Sequence, residues 1–236
     1  MHKYDKDYQG EDLILLTGAP GSRWTSAHTR LTKCSTDFSS SEVSSEYWRI
    51  KTVQHPSPFI AGHSGVYWGP NHGIGEKFDD LHSCSKEYIL DEINKGFTDN
   101  KGVRLVKSHW FSYNLNYLAS MLPKAKILLC YGDELECYYW WNKCGGWGMG
   151  YPKYTWYQND ERMMRQIKEE NYNILRFCTT HDLQLKYSSI SEVCRELDIE
   201  FNIGNDSELN CKIAVFKGEI LADFTHLQRS AFASRH

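Results

Sequence analysis

The chain has 236 residues, enough to bury a real core in one large domain or two small ones. Hydrophobic residues make up 41% and charged ones 24%, close to the globular norm, which excludes disordered, collagenous and coiled-coil classes. A formal net charge of −3 argues against a generally basic nucleic-acid binder, so an anionic ligand must be met by a local basic site.

Two further features of composition shape the expectations. The aromatic share is 14%, with eight Trp and fifteen Tyr, more than a core of this size needs. The polar N-terminal stretch MHKYDKDYQGEDL lacks an apolar leader core, and the longest apolar runs, near residues 13–16 and 127–130, are far too short to span a bilayer. A soluble, cytoplasmic protein without membrane or nucleic-acid partners is expected. Eight cysteines without a secretory signal are expected as free, buried thiols. Cys137 and Cys144 share a helical face, but no CxxC or Cys/His knot accompanies them, so no metal is expected.

In chain order, residues 12–17 (DLILLT) read as a buried strand that ends in the small-residue loop Gly18-Ala19-Pro20-Gly21-Ser22, with a helix-compatible stretch over 23–33. Residues 34–45 are rich in Ser and Thr and residues 54–75 in Gly, Pro and His, and together they suggest a long loop excursion over 34–84. Ile89, Ile93 and Phe97 mark a helix over 85–97, and residues 103–106 a short strand. Phe111, Leu115, Leu118 and Leu122 repeat at helical spacing up to Pro123. Residues 125–131 (AKILLCY) form the next buried strand, and Asp133 caps a helix reaching Trp141. Residues 157–179 form a long amphipathic helix with Met164, Ile167, Asn171, Ile174, Leu175 and Cys178 on its stripe. Residues 184–187 are a strand candidate, and Ile190, Val193, Cys194 and Leu197 mark another helix. Lys217-Gly218 divides residues 212–222 like a hairpin turn, giving a hairpin over 210–224. This alternation predicts one α/β domain over 1–236, with a mainly parallel sheet flanked by helices in three layers.

Three segments carry residues suited to chemistry. In residues 17–26 the small residues Gly18, Ala19, Pro20 and Gly21 let backbone approach a ligand closely. A helix N-terminus follows, Ser22, Thr25 and Ser26 add hydroxyls, and Arg23 adds a planar, fixed charge beside Trp24. The segment is not a Walker loop, because Arg23 and Trp24 stand where the second Gly and the Lys belong. In Lys107-Ser108-His109, at a strand end, Lys107 and His109 are i and i+2 and converge on one side. A Lys there can stabilise charge on a transferred group, and a neutral His can take a hydroxyl proton. The third segment, Tyr131-Gly132-Asp133-Glu134-Leu135-Glu136, is again a strand end leading into a helix, and by itself a capped helix explains it. Each segment also has a plain structural reading, as a strand-to-helix turn, a core histidine or a cap.

Together the three segments resemble the sulfotransferase family that uses 3′-phosphoadenosine 5′-phosphosulfate, whose fold is related to P-loop kinases and P-loop NTPases. The family's 5′ loop reads approximately Pro-Lys-Ser-Gly-Thr-Thr, and residues 20–25 match it at Pro20, Ser22 and Thr25. Lys107-Ser108-His109 reproduces the family's Lys-Ser-His segment. Residues 124–140 lie where the family has a strand followed by Arg-Asn-Pro-x-Asp and a downstream Ser that hold the 3′-phosphate, with Glu136 at the acidic position. The agreement in order and spacing runs over residues 12–140 and is also similar to short sulfotransferase-like proteins of bacteria and marine phages. Gly21 stands at the usual lysine, Gly132 at the usual arginine and Trp140 near the serine. A charge-assisted hydrogen bond is worth roughly 1.5–3 kcal/mol, so each loss weakens donor binding by about one to two orders of magnitude.

The resemblance implies sulfuryl transfer from 3′-phosphoadenosine 5′-phosphosulfate, leaving 3′,5′-adenosine bisphosphate, to a hydroxyl or amine. His109 is the implied base, Lys107 and Arg23 the implied charge stabilisers, and residues 18–26 the implied donor cradle. Trp140, Trp141 and Trp147, with Tyr151, Tyr154, Trp156 and Tyr157 after them, form one expected wall for a small-molecule or saccharide acceptor, and Tyr67 and Trp68 the other. Two rival readings remain: a nucleotide or metabolite kinase on a related fold, and a non-catalytic nucleotide-binding module.

Overall fold

The computed structural model describes residues 7–35, 38, 67–69, 74–97, 102–149, 158–202, 204 and 206–218. Most of the 34–84 excursion, the second arm of the expected 210–224 hairpin, and Tyr151, Tyr154, Trp156 and Tyr157 lie outside the described residues.

Strand β1 (Leu13–Gly18) is buried along its whole length. That burial explains its unbroken apolar sequence: both of its faces are covered. It pairs in parallel with β2 (Arg104–Lys107) on one side and β3 (Lys126–Tyr131) on the other, with Leu16 opposite Lys107 and Gly18 opposite Cys130. Strand β5 (Glu208–Phe216) runs antiparallel to β3, and β4 (Lys186–Ser189) antiparallel to β5, giving the order β2-β1-β3-β5-β4.

The sheet is therefore mixed, with two parallel and two antiparallel pairings, and the expectation of a mainly parallel sheet is corrected. The reason lies in helix α6 (Ile190–Glu196) between β4 and β5. Ser189 at the end of β4 pairs with Glu208 at the start of β5, and the Ile190 amide donates to the Ser207 carbonyl at 3.2 Å. The helix is thus an excursion inside a hairpin. A strand–helix–strand sequence pattern looks the same whether the helix crosses over or returns to its starting edge.

The other helices are α1 (Trp24–Cys34), α2 (Lys86–Asn94), α3 (Leu115–Met121), α4 (Glu134–Lys143) and α5 (Asp160–Thr180). Alternate strand residues enter two core clusters, as the period of two requires. Leu13, Leu15, Val106, Ile127 and Leu129 pack with Ile89 and Ile93 of α2, Leu118 of α3, and Ile174 and Phe177 of α5. Ile14, Leu16, Leu105, Leu128 and Cys130 pack with Ala27 and Leu31 of α1 and with Val193 and Cys194 of α6. A small third cluster joins Ala19 to Cys137 and Trp141 of α4 and to Met163 and Ile167 of α5. All eight cysteines are free thiols, six of them buried and Cys84 and Cys144 half-buried.

The helical spacing expected from Phe111 to Leu122 is split. A 3-10 turn (His109–Tyr113) precedes α3. Ser108 accepts from the Trp110 amide, Ser112 Oγ donates to the His109 carbonyl, and Asn114 Nδ2 donates to the Trp110 carbonyl. These short polar side chains compete with helical bonding, and the tight turn they favour carries His109.

Candidate active site

The C-terminal ends of β1, β2 and β3 lie side by side, the edge at which open α/β sheets place their sites. At the end of β1, Gly18, Ala19, Pro20 and Ser22 are buried, Gly21, Arg23 and Thr25 are half-buried, and Ser26 is exposed. The Ser22 amide closes a turn on the Ala19 carbonyl at 2.9 Å. Thr17 Oγ1 and Ser22 Oγ are buried and have no hydrogen-bond partner. Buried polar groups are nearly always satisfied, so these two hydroxyls, one at the end of β1 and one on the loop, leave hydrogen-bonding capacity for a water or a polar ligand.

Gly21 of this loop and Gly132 at the end of β3 both lie against Cys137 of α4. Gly21 has φ 77°, and a Cβ there would run into the carbonyl oxygen of Cys137 in α4. A Cβ at Gly132 would meet Cys137 Sγ at 2.9 Å. The α4 backbone thus closes on position 21, where a lysine does not fit without displacing it, whereas at 132 only the Cys137 thiol stands in the way of a side chain. Asn171 of α5 reinforces this contact, donating from Nδ2 to the Gly132 carbonyl at 2.9 Å.

Arg23 also has positive φ, 64°, and its guanidinium turns toward α4 and β5. It bonds Glu136 at 2.9 Å and the Asn210 carbonyl at 3.1 Å, and lies 4.1 Å from the Trp140 ring centroid. Its charge is spent on Glu136 and on the ring face, not on the loop's own hydroxyls.

At the end of β2, Lys107 is fully buried. The Trp68 amide donates to its carbonyl, and the Ser108 amide donates to Leu16 of β1, which fixes this strand end. Burial lowers the Lys107 ammonium to a pKa of about 7. His28 in the second turn of α1 is 3% exposed, and neither ring nitrogen has a partner. Burial first, and the Lys107 charge second, hold it well below its ordinary 6.5. Charge on Lys107 thus adds to burial in keeping His28 neutral.

His109 is 6% exposed. Its ring lies 4.4 Å from the Trp24 centroid and 5.9 Å from that of Tyr67, and its Nδ1 is 2.9 Å from Glu170 Oε2 in the middle of α5. Gln166, one turn earlier, donates to the other Glu170 oxygen at 2.7 Å. Sequence reasoning missed Glu170 and Gln166. The available signal was two polar residues at i and i+4 on the buried stripe of α5, flanked by Ile167 and Ile174.

The expected acceptor residues scatter. Tyr67 is buried beside Trp24 and His109. Trp68 is in the core on the other side of the sheet, donating to the Glu92 carbonyl and stacked on Phe97. Trp140 lies under Arg23, and Trp141 is in the cluster under the loop. Trp147 is 38% exposed, edge-on to Trp141 and bonded to Asp160. Tyr67 thus stands at the strand ends with Trp24 and His109, Trp140 and Trp141 line the α4 side, and the Trp68 side chain is on the opposite face of the sheet from Tyr67.

No family model, curated protein or solved structure matches this chain. Among the described residues no helix is long and apolar enough to cross a membrane, and no group of three or more His, Cys, Asp or Glu could hold a metal ion.

Proposed function

We propose that the chain is a sulfotransferase on a three-layer, P-loop-like α/β domain. It transfers a sulfuryl group from 3′-phosphoadenosine 5′-phosphosulfate to a hydroxyl of a small-molecule or saccharide acceptor. The observation that carries this reading is the pair of orphaned hydroxyls, Thr17 at the end of β1 and Ser22 on the loop after it, beside the strand end that holds Lys107 and His109. Those hydroxyls, with the N-terminus of α1, suit the 5′ end of the donor. The 3′ end fits less well, because Gly132 stands against Cys137 where an arginine is expected.

The donor supplies a sulfuryl group joined to a phosphate through a bridging oxygen. His109 takes the acceptor's hydroxyl proton at Nε2 as the acceptor oxygen bonds sulfur and the bridging S–O bond breaks. Lys107, in its ammonium form, offsets charge on the sulfuryl oxygens and on the departing bridging oxygen. Trp24 and Tyr67 pack around His109 and keep water from it. Arg23 joins the donor only by exchanging Glu136 for it.

A kinase reading is weaker, since Arg23 and Trp24 stand where the Walker motif needs Gly and Lys. The reading as a non-catalytic nucleotide-binding module has one observation in its favour, the packing of Cys137 of α4 against Gly21 and Gly132. Turnover separates the two. With sulfur-labelled donor and a panel of phenol and sugar acceptors, the wild type transfers label, and His109→Ala loses transfer by at least about a hundredfold while its bisphosphate affinity is nearly unchanged. Transfer retained in His109→Ala removes His109 from the base role, and no transfer by the wild type to any acceptor supports the binding module.

A further inference from the structure

Glu170 and His109 come from elements 61 residues apart, and each buries an ionisable group that neither fold nor packing requires. Glu170 is 1% exposed at the midpoint of α5, where an apolar residue would serve the core better. Its two oxygens are committed in opposite directions, Oε2 to His109 Nδ1 and Oε1 to Gln166 Nε2. A carboxylate only accepts, so Nδ1 carries the imidazole proton and the lone pair of the neutral ring is on Nε2.

We infer that Glu170 is a positioning residue that holds His109 in its Nδ1–H tautomer, with Gln166 holding the other carboxylate oxygen. The inference rests on the proposed base role of His109 for its catalytic consequence only. A base that takes a proton at Nε2 needs its lone pair there and its ring unable to turn, and both conditions are met from α5.

Gln166 engages the carboxylate oxygen that His109 leaves, so both oxygens of Glu170 accept. In Glu170→Leu nothing at position 170 accepts from Nδ1, and the ring is no longer held with its proton there. Glu170→Gln is not decisive, because either amide can turn to present its oxygen. The double variant Gln166→Glu/Glu170→Gln is decisive. The carboxylate at 166 only accepts, so it takes the amide NH2 of residue 170 and leaves the oxygen of that amide facing Nδ1.

Nitrogen-15 NMR of the imidazoles, with His109→Gln used to assign the His109 signals, reads the tautomer directly. The wild type at neutral pH shows Nδ1–H, Glu170→Leu gains Nε2–H, and the double variant returns to Nδ1–H. Alongside, kcat for sulfuryl transfer falls by about 10²–10⁴-fold in Glu170→Leu with KM changed less than about threefold, and recovers at least about tenfold in the double variant. An Nε2–H tautomer in the wild type overturns the inference without any variant having to fold. So does an unchanged tautomer in a folded Glu170→Leu protein, or a purely structural loss that the double variant fails to rescue. If the tautomers behave as stated but no donor supports transfer, the proposed function falls while the positioning role stands.

Discussion

Burial leaves Lys107 titrating at about 7 and keeps His28 neutral well below 6.5. An unfolded Lys107 holds its proton up to about 10.5 while the folded one releases it near 7, so this residue makes stability rise between pH 7 and 10.5. Below 6.5 an unfolded His28 takes up a proton that the folded one refuses, so stability falls as the pH drops. His28→Leu should therefore stabilise the fold at pH 7, since it removes two unpartnered buried nitrogens. It should also reduce the loss of stability as the pH drops below 6.5, read in urea titrations. An acid limb unchanged by the substitution would mean that His28 charges freely in the fold. Lys107 has a further consequence for ligand binding. At pH 8 it is mostly neutral, so an anion that needs the ammonium must bring a proton with it. Calorimetry of 3′,5′-adenosine bisphosphate in two buffers of different ionisation heat should show uptake approaching one proton at pH 8 and little at pH 6, and Lys107→Met should abolish the difference. Arg23 is a third case, held by Glu136 at 2.9 Å. Glu136→Gln releases it and should tighten bisphosphate binding several-fold, whereas unchanged affinity would show that Arg23 does not reach the donor.

Helix α4 decides how far the loop after β1 can follow the sulfotransferase pattern. Gly21→Ala adds a Cβ at φ 77° against the Cys137 carbonyl, and should lower stability by at least about 2 kcal/mol in thermal or urea unfolding. A neutral effect would show that α4 yields easily, and that the missing lysine is a loss of function instead of a packing demand. The elements themselves were largely readable from periodicity. The strands at β1 and β3, the Asp133 cap of α4, and α2, α5 and α6 follow from apolar spacing and capping residues, and α1 from helix-compatible residues after the glycine loop. The misread parts share one cause, since each depends on contacts distant in sequence or on side-chain competition with the backbone. The return of β5 beside β3, the 3-10 turn at His109, and the partnership of Glu170 with His109 leave no periodic trace. Glu170 was not among the expected stripe residues although it is buried on α5, and only its position opposite His109 makes it more than a polar interruption.

The whole molecule explains its own composition in part. Among the described residues, Trp24, Tyr67, Trp68 and Trp141 are buried, so much of the aromatic surplus is structural. Among the described members of the expected acceptor wall, Trp140 and Trp147 reach solvent. A near-neutral chain can serve an anionic donor because its cations are local, with Lys107 buried at a strand end and Arg23 poised on Glu136. The central claim is that this strand edge binds the adenosine bisphosphate left by the donor, and titration calorimetry with 3′,5′-adenosine bisphosphate, with ATP and AMP as controls, tests it most directly. The account predicts measurable binding of the bisphosphate, no preference for ATP, and only a small advantage over AMP, because Gly132 offers the 3′-phosphate no side chain. Preferential binding of ATP, or binding of none of the three, would contradict it.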